Sequence, residues 1–301
     1  MKAVVNYEYG GPEVLKYTDY PDPVAGPGDV LVRVAAAGVN PVDVIERSGG
    51  TKDWRPELPD ILGWDVAGTV LGLGPGAKGF SVGDRVLAWT YHTYAELCLV
   101  KAELLVKIPQ GLELTAAAAL PLVTITGNQL IAVAAQPMGG QSVLVSGAFG
   151  GVGRSAVFTA KELGARVIAG VLKRQVDSAT SLGADEVIAL DDETAMKNLA
   201  PVDVVANAVR GKTAEQLLGK VKPGGIFASV TGVPENAKDF PSVRTVAFIS
   251  TQDADRLLRM ANAVAAGKLV IPIDRRLPLK DAAEAHAALA RGGIGKLLLL
   301  P

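Results

Sequence analysis

Between Val143 and Ala165 the chain reads VLVSGAFGGVGRSAVFTAKELGA, in which an apolar strand, a glycine-rich turn and a helical pattern follow one another directly. That order is what a dinucleotide-binding βα unit requires. Gly150 lets the backbone approach a pyrophosphate, because a Cβ there would collide with it. Gly153 lets the helix pack closely on the strand, and the amides around Gly151 and Val152 point at phosphate oxygens from the positive end of the helix dipole. Phe149, Gly150, Gly151 and Val152 are therefore the candidate cofactor-binding turn. One departure from G-x-G-x-x-G is visible, since Ala148 stands where the first glycine is usual. A ligand-free structural turn would use the same glycines, but the context favours a nucleotide site. Ala156, Val157, Ala160 and Leu163 share one helical face, Gly164 closes the helix, and a second strand begins at Arg166.

That second strand ends Gly170-Val171-Leu172-Lys173-Arg174. It lacks the acidic residue that binds the free 2′-hydroxyl of NAD. Lys173 and Arg174 offer positive charge for a 2′-phosphate instead, so NADPH is the expected cofactor.

A length of 301 residues accommodates one or two domains with substantial cores. A 49% hydrophobic, 20% charged composition suits a packed α/β protein rather than a disordered one. The net charge of -1, without a basic block, argues against nucleic acid as a partner. Cys98 is the only cysteine, which rules out an intrachain disulfide and suggests a cytoplasmic protein. The longest apolar tract, Leu114 to Ala135, is interrupted by Pro121, Thr124, Thr126, Asn128 and Gln129. It reads as a buried helix pair rather than a membrane span, so no membrane partner is expected.

Residues 1–118 are expected to form a β-rich domain. Short strands such as Val30 to Val34, Val66 to Leu71, Arg85 to Trp89, Ala95 to Val100 and Leu105 to Ile108 alternate with Gly/Pro turns, as in a small barrel or sandwich. Residues 119–268 alternate strand and helix, with strands at Glu186 to Leu190, Val202 to Ala206 and Ile226 to Val230, which argues for a doubly wound parallel sheet. Residues 269–301 return to β, with Val270-Ile271-Pro272 and Lys296 to Leu300 flanking a helix from Lys280 to Ala290, and are expected to complete the first domain.

With these parts in place the chain resembles the medium-chain dehydrogenase/reductase superfamily, and within it the zinc-independent quinone oxidoreductase (zeta-crystallin-like) branch. The motifs that carry the resemblance span nearly the whole length. They are Ala37-Gly38-Val39-Asn40-Pro41-Val42-Asp43, Gly63-Trp64-Asp65-Val66-Ala67-Gly68, Val82-Gly83-Asp84-Arg85-Val86, Tyr94-Ala95-Glu96, Leu120-Pro121-Leu122-Val123, the glycine turn, Lys222-Pro223-Gly224-Gly225, Glu284-Ala285-His286 and Gly295-Lys296. The resemblance implies a GroES-like catalytic domain, a Rossmann domain and a cofactor in the cleft between them. It puts Asn40, Thr126, Thr231, Gly232, Phe248 and Ile249 by the nicotinamide, with Lys296 nearby, and implies a homodimer made by the apolar strand Ser242 to Ser250. Ile45 stands where related quinone reductases usually have a tyrosine, and the acceptor is expected beside Asn40, Ile45, Trp64 and Tyr91. Asn207 occupies a position often acidic in relatives and would hydrogen-bond a ribose.

A catalytic zinc needs three Cys, His or carboxylate ligands. The positions resembling the first two ligands hold Asn40 and Trp64, and the only histidines, His92 and His286, are far apart in sequence. Metal-free hydride transfer to a quinone or an activated enone is the expected reaction, because such acceptors delocalise the negative charge onto oxygen. Asn40 would donate to the developing oxyanion or anchor a loop. A 2-alkenal or enoyl reductase, and an NADPH-binding protein with little catalysis, are the competing readings.

Overall fold

The computed structural model describes every residue except 52, 53, 56, 293 and 294. Contacts divide the chain into two compact units, 1–122 with 252–301, and 123–251. The expected boundaries at 118/119 and 268/269 differ from these, mainly because helix Ala254–Ala265 belongs to the first unit. Asp253 starts that helix by accepting the Arg256 N–H at 2.9 Å.

The second unit holds a six-stranded, all-parallel sheet. Its strands lie in the order Glu186–Ala189, Arg166–Val171, Ser142–Ser146, Val202–Asn207, Val221–Ser229 and Arg244–Ala247. Numbered by sequence within the unit, that order is 3-2-1-4-5-6, so the direction of winding reverses between Ser142–Ser146 and Val202–Asn207. Ligands of open α/β sheets bind at such a reversal, beyond the carboxyl ends of the strands. Val143, Leu144, Val145, Val204, Val205 and Ala206 are all essentially inaccessible there, because helices cover both faces of a parallel sheet.

The apolar tract expected as a helix pair is three consecutive pieces, a 3₁₀ turn Ala116–Ala119, an α-helix Pro121–Gln129 and a π-helical turn Leu130–Ala135. The stretch 116–135 is apolar and long enough to cross a membrane, but 78% of it is buried inside the protein. Its polar interruptions bond within the fold. Asn128 Nδ2 donates to Thr159 Oγ1 at 3.0 Å, and the Gln129 side chain exchanges two bonds with the Thr251 backbone at 2.9 Å each.

In the first unit the 11-residue strand Asp29–Val39 organises a seven-stranded sheet. One of its edges pairs with Asp65–Leu73. The other is shared, with Leu97–Lys101 pairing residues 29–33 and the carboxy-terminal strand Lys296–Leu300 pairing residues 37–39. The register Leu297↔Val39 brings Lys296 beside Asn40. The strand expected at Val270 to Pro272 lies instead at Ile273–Pro278. Pro272 has no N–H for a ladder, and pairing begins after it. A second sheet joins Leu15–Asp19, Lys2–Asn6 and Asp60–Ile61.

Candidate functional site

In the second unit, Gly150 is the N-cap of helix Gly151–Glu162. The first amides of that helix have no carbonyl one turn earlier to bond. A Cβ at Gly150 would meet only the Gly147 carbonyl, at 3.4 Å, so the space in front of the turn is open. A Cβ at Gly153 would run into the Gly147 carbonyl oxygen and come within 2.6 Å of Ala148 Cα, which fits its expected role in close helix–strand packing. The Arg154 guanidinium, which the sequence did not single out, lies 4.4 Å from the centroid of the Phe149 ring and donates from Nε to the Phe149 carbonyl at 3.0 Å. Burial lowers its pKa.

Neighbouring strands end in a polar ladder at the reversal point. Ser146 Oγ donates to Asn207 Oδ1 at 2.7 Å and accepts the Ala208 N–H at 2.9 Å. Asn207 Nδ2 donates to the Val209 carbonyl, Ser229 Oγ and Thr231 Oγ1 at 2.8–3.1 Å. The side chain expected to bond a ribose is thus fully buried and holds the loop that carries Thr231 and Gly232. Thr126 Oγ1 lies 2.8 Å from Ser250 Oγ, two residues beyond Phe248. Phe248 is half-buried against the sheet core, whereas Ile249 is 88% exposed. At the end of the second strand, Lys173 is ion-paired to Asp192 at 2.9 Å, which raises its pKa. Arg174 is exposed and has no ion-pair partner among the described residues.

In the first unit, Asn40, Asp65 and Lys296 form one buried cluster. Lys296 Nζ donates to Asn40 Oδ1 at 2.6 Å, Asp65 Oδ2 at 3.0 Å and the Val39 carbonyl at 3.1 Å. Asn40 Nδ2 donates to the same Asp65 oxygen at 2.8 Å and, more weakly, to the Gly38 carbonyl at 3.4 Å. Asp65 Oδ1 accepts the Leu122 N–H at 2.7 Å. Gly38 makes room for this carboxylate, since a Cβ there would lie 2.7 Å from Asp65 Oδ2. Of the two roles expected of Asn40, this geometry is that of the anchor, because both ends of its amide are engaged.

A second buried chain of bonds runs behind it. Arginine can only donate, so Arg47 donates to His286 Nδ1 at 3.2 Å. Nε2–H of His286 then faces Tyr94 Oη at 3.2 Å, and Tyr94 donates to Asp43 Oδ2 at 2.7 Å. Burial, reinforced by repulsion from Arg47, pushes His286 down to about 3. Burial pushes Asp43 up to about 8, and its Oδ1 has no hydrogen-bond partner among the described residues.

The Trp64 and Tyr91 ring centroids lie 5.0 Å apart with their planes at 80°. Ile45 adjoins Glu46, whose Oε2 accepts the Trp64 indole N–H at 2.8 Å. Glu46 escaped the sequence reading because nothing local marks a helical carboxylate as buried. Asp43 and Asp65 did lie inside the recognised motifs. Among the described residues no group of three His, Cys, Asp or Glu is placed to hold a metal ion. Cys98 is buried, its thiol pushed up to about 12.

Two family models match the sequence, the alcohol dehydrogenase GroES-like domain over residues 26–110 and the zinc-binding dehydrogenase model over residues 182–299. A quinone oxidoreductase of Pseudomonas aeruginosa is 35% identical over 318 residues, covering 97% of each chain. The NADPH-dependent alkenal/one oxidoreductase of Arabidopsis thaliana chloroplasts is 30% identical, covering all of this chain and 80% of its own length. Among solved structures, Escherichia coli quinone oxidoreductase complexed with NADPH superposes with a TM-score of 0.88 at 27% identity, covering both chains fully. Sequence identity and fold are thus shared from end to end, and the chain belongs to the quinone oxidoreductase family of the medium-chain dehydrogenase/reductase superfamily, a family of NAD(P)H-dependent oxidoreductases.

Proposed function

We propose that the chain is a reductase that uses NADPH to transfer a hydride to a quinone or an activated enone without a metal ion. The observation that carries the reading is the open glycine turn at the reversal point of the parallel sheet, with an exposed arginine, lacking an ion-pair partner among the described residues, at the end of the adjacent strand. Gly150 and the amides of Gly151 and Val152 would hold the pyrophosphate, with Phe149 fixed beside them by Arg154. Arg174 would take the 2′-phosphate, and Lys173 would add charge while tied to Asp192. Thr126, Thr231, Gly232, Phe248 and Ile249 would hold the nicotinamide end, with Asn207 positioning the Thr231 loop.

When bound, NADPH supplies the hydride; the chain supplies orientation and an environment for the acceptor. Ile45, Trp64 and Tyr91 would form the acceptor's surroundings, and Asn40 and Lys296 would hold the loop before Ile45 in place. The metal-free reading rests on the donor set. His92 is engaged by Asp60 and the Ile61 carbonyl, His286 by Arg47 and Tyr94, and Cys98 is buried. The names of the Pseudomonas and Arabidopsis relatives support quinones and enones respectively as acceptor classes. A single, buried cysteine fits a reducing cytoplasm.

The test is stopped-flow oxidation of NADPH with 1,4-benzoquinone, 9,10-phenanthrenequinone and a short 2-enal. Enzyme-dependent oxidation with at least one is expected. Its absence in protein that binds NADPH would favour a binding protein with little catalysis.

Assembly belongs to the same proposal. Strand Arg244–Ala247 ends the six-stranded sheet, and Ile249 just beyond it is 88% exposed in the isolated chain. An open edge with an apolar side chain is suited to pairing with a second copy. We expect a homodimer by light scattering at micromolar concentration. A monomeric wild-type mass would refute this.

A further inference from the structure

The loop that leaves strand Arg85–Trp89 is held against the Gly63-Trp64 motif. The Thr90 N–H donates to the Trp64 carbonyl at 3.0 Å, and the Thr93 N–H donates to the Gly63 carbonyl at 3.3 Å. A Cβ at Gly63 would run into the Thr93 hydroxyl and the Tyr94 ring, so glycine is what lets the loop come this close. Between these two anchors His92 has φ +60°, a backbone conformation that residues with side chains seldom take. Such a residue persists only where its surroundings over-determine it, and functional sites are where it is commonly found.

What the surroundings fix is the imidazole. His92 Nδ1 lies 3.0 Å from Asp60 Oδ1 and 3.0 Å from the Ile61 carbonyl, and both of those oxygens accept. Nδ1 therefore carries a hydrogen in either charge state, and the proton that comes and goes sits on Nε2. Among the described residues Nε2 has no hydrogen-bond partner, and the side chain is 63% exposed, so its proton can be replaced from solvent. The hydrogen bond from Asp60 raises the His92 pKa above its ordinary 6.5 against the opposing effect of partial burial, and the charge on Asp60, the Ile61 carbonyl and Glu46 add to the rise.

Glu46 and His92 feel each other's charge, which puts His92 in the neighbourhood of Trp64, the donor to Glu46. The Tyr91 ring lies 6.5 Å from the imidazole and 5.0 Å from the Trp64 ring. Asp60 and Glu46 are the charged groups that act on the imidazole, and Tyr91 is its titratable neighbour on the loop. Hydride addition to a quinone or an enone leaves negative charge on the acceptor's oxygen, and the product is complete only when a proton arrives. Glu46 already accepts from Trp64 and is buried, and burial pushes Tyr91 further from acidity. His92 is the member of this group that joins a proton dissociable near neutral pH to an unengaged nitrogen.

We propose that His92, oriented by Asp60, is the general acid that completes the reduction. Its Nε2–H bond breaks, the proton passes to the acceptor's oxygen, and the nitrogen keeps the electron pair. Solvent then returns a proton to Nε2 through the exposed side of the ring. The proposal rests on the reductase reading above and adds a residue to it.

With only two histidines in the chain, the proton can be followed directly. His286 titrates near 3, so the imidazole NMR signal that titrates near neutrality in the cofactor-free chain belongs to His92. Its midpoint should lie above 6.5 and fall in Asp60→Asn. Single-turnover oxidation of NADPH by a short 2-enal should slow about 100-fold in His92→Asn, a residue that tolerates positive φ, with NADPH affinity within about two-fold. The slowing with 1,4-benzoquinone should be smaller, because a hydroquinone anion is a weaker base than an enolate. The wild-type rate should be lost as pH rises through the NMR midpoint, and His92→Asn should lack that loss. In His92→Gly, added imidazole should restore part of the rate, a response that a purely structural His92 would not give. Variant rates equal to the wild type, or a His92 signal titrating below 6.5, would overturn the proposal. The two failures are distinguishable: a wild type that oxidises no NADPH with any acceptor sinks the reductase reading, whereas an active wild type with unaffected variants removes only the role of His92.

Discussion

Replacing Lys296 by methionine would test the buried cluster that joins the last strand to the loop at Asn40. The substitution keeps most of the aliphatic stem and removes three hydrogen bonds, to Val39, Asn40 and Asp65. Asp65 would remain with the Leu122 and Asn40 donors but without a counter-charge, and its side chain is entirely buried. An uncompensated buried carboxylate of this kind costs about 3–5 kcal/mol. In a chain of this size that corresponds to a fall in Tm on the order of 10 °C. Asp65→Asn should be comparably harmful, because it strands the ammonium. The double variant Asp65→Asn/Lys296→Met should be clearly more stable than the sum of the two losses, since neither charge is then left alone. The assay is thermal and guanidinium unfolding of all four proteins, read as a double-mutant cycle. Additive losses would refute the reasoning and show the two side chains to be energetically independent. The cycle also separates structure from chemistry. If Lys296 and Asn40 only position the loop, the double variant should recover kcat along with stability.

His286, with a folded pKa near 3 against an ordinary 6.5, binds its proton less readily folded than unfolded, so its contribution is present above about pH 6.5 and is lost as pH falls toward 3. The full difference is about (6.5 − 3) × 1.36, or about 5 kcal/mol. Asp43 and Glu46 have raised values and slope the opposite way, so the wild-type curve alone will not show the effect. The stability difference between wild type and His286→Gln should shrink with acidification across that window, and a pH-independent difference would refute the assignment. For the cofactor, Arg174→Ala should weaken NADPH binding about 10-fold with NADH unaffected, and Lys173→Ala should do less because that ammonium is already paired with Asp192. Equal affinity for the two cofactors in the wild type would count against the 2′-phosphate reading.

Legibility in the sequence followed the range over which each constraint acts. The glycine turn was legible because strand, glycines and helix adjoin, and the steric need at Gly153 is local. The Rossmann strands were legible from their unbroken apolar runs, which a sheet covered on both faces demands. The pairing of Lys296 with Asn40 was not, since the partners lie 256 residues apart and meet through the register of one strand pair. The resemblance placed both residues near a cofactor but said nothing of their bonding to each other. The same holds for Asn207. Its type suggested a ribose ligand, whereas its neighbours in space, Ser146, Ser229 and Thr231, occupy every donor and acceptor it has.

Glu46 shows most directly what such a reading misses and why it matters for function. In sequence it is one more carboxylate on a short helix, a position where a solvated charge is the ordinary outcome. Its burial follows from Trp64, eighteen residues on, which covers it and supplies the donor that makes the burial tolerable. Next to it, Ile45 stands where the resemblance leads one to expect a tyrosine, and taken alone that exchange reads as a loss of polar direction. One residue on, Glu46 is the polar side chain that braces the Trp64 ring. A hydroxyl selects by hydrogen bonding, which many carbonyl compounds satisfy. Restoring the tyrosine alone, as Ile45→Tyr, should return a hydrogen-bonding group and broaden the acceptor range toward enones without improving the KM for phenanthrenequinone. An unchanged enone KM would argue that the exchange at Ile45 does not bear on acceptor choice.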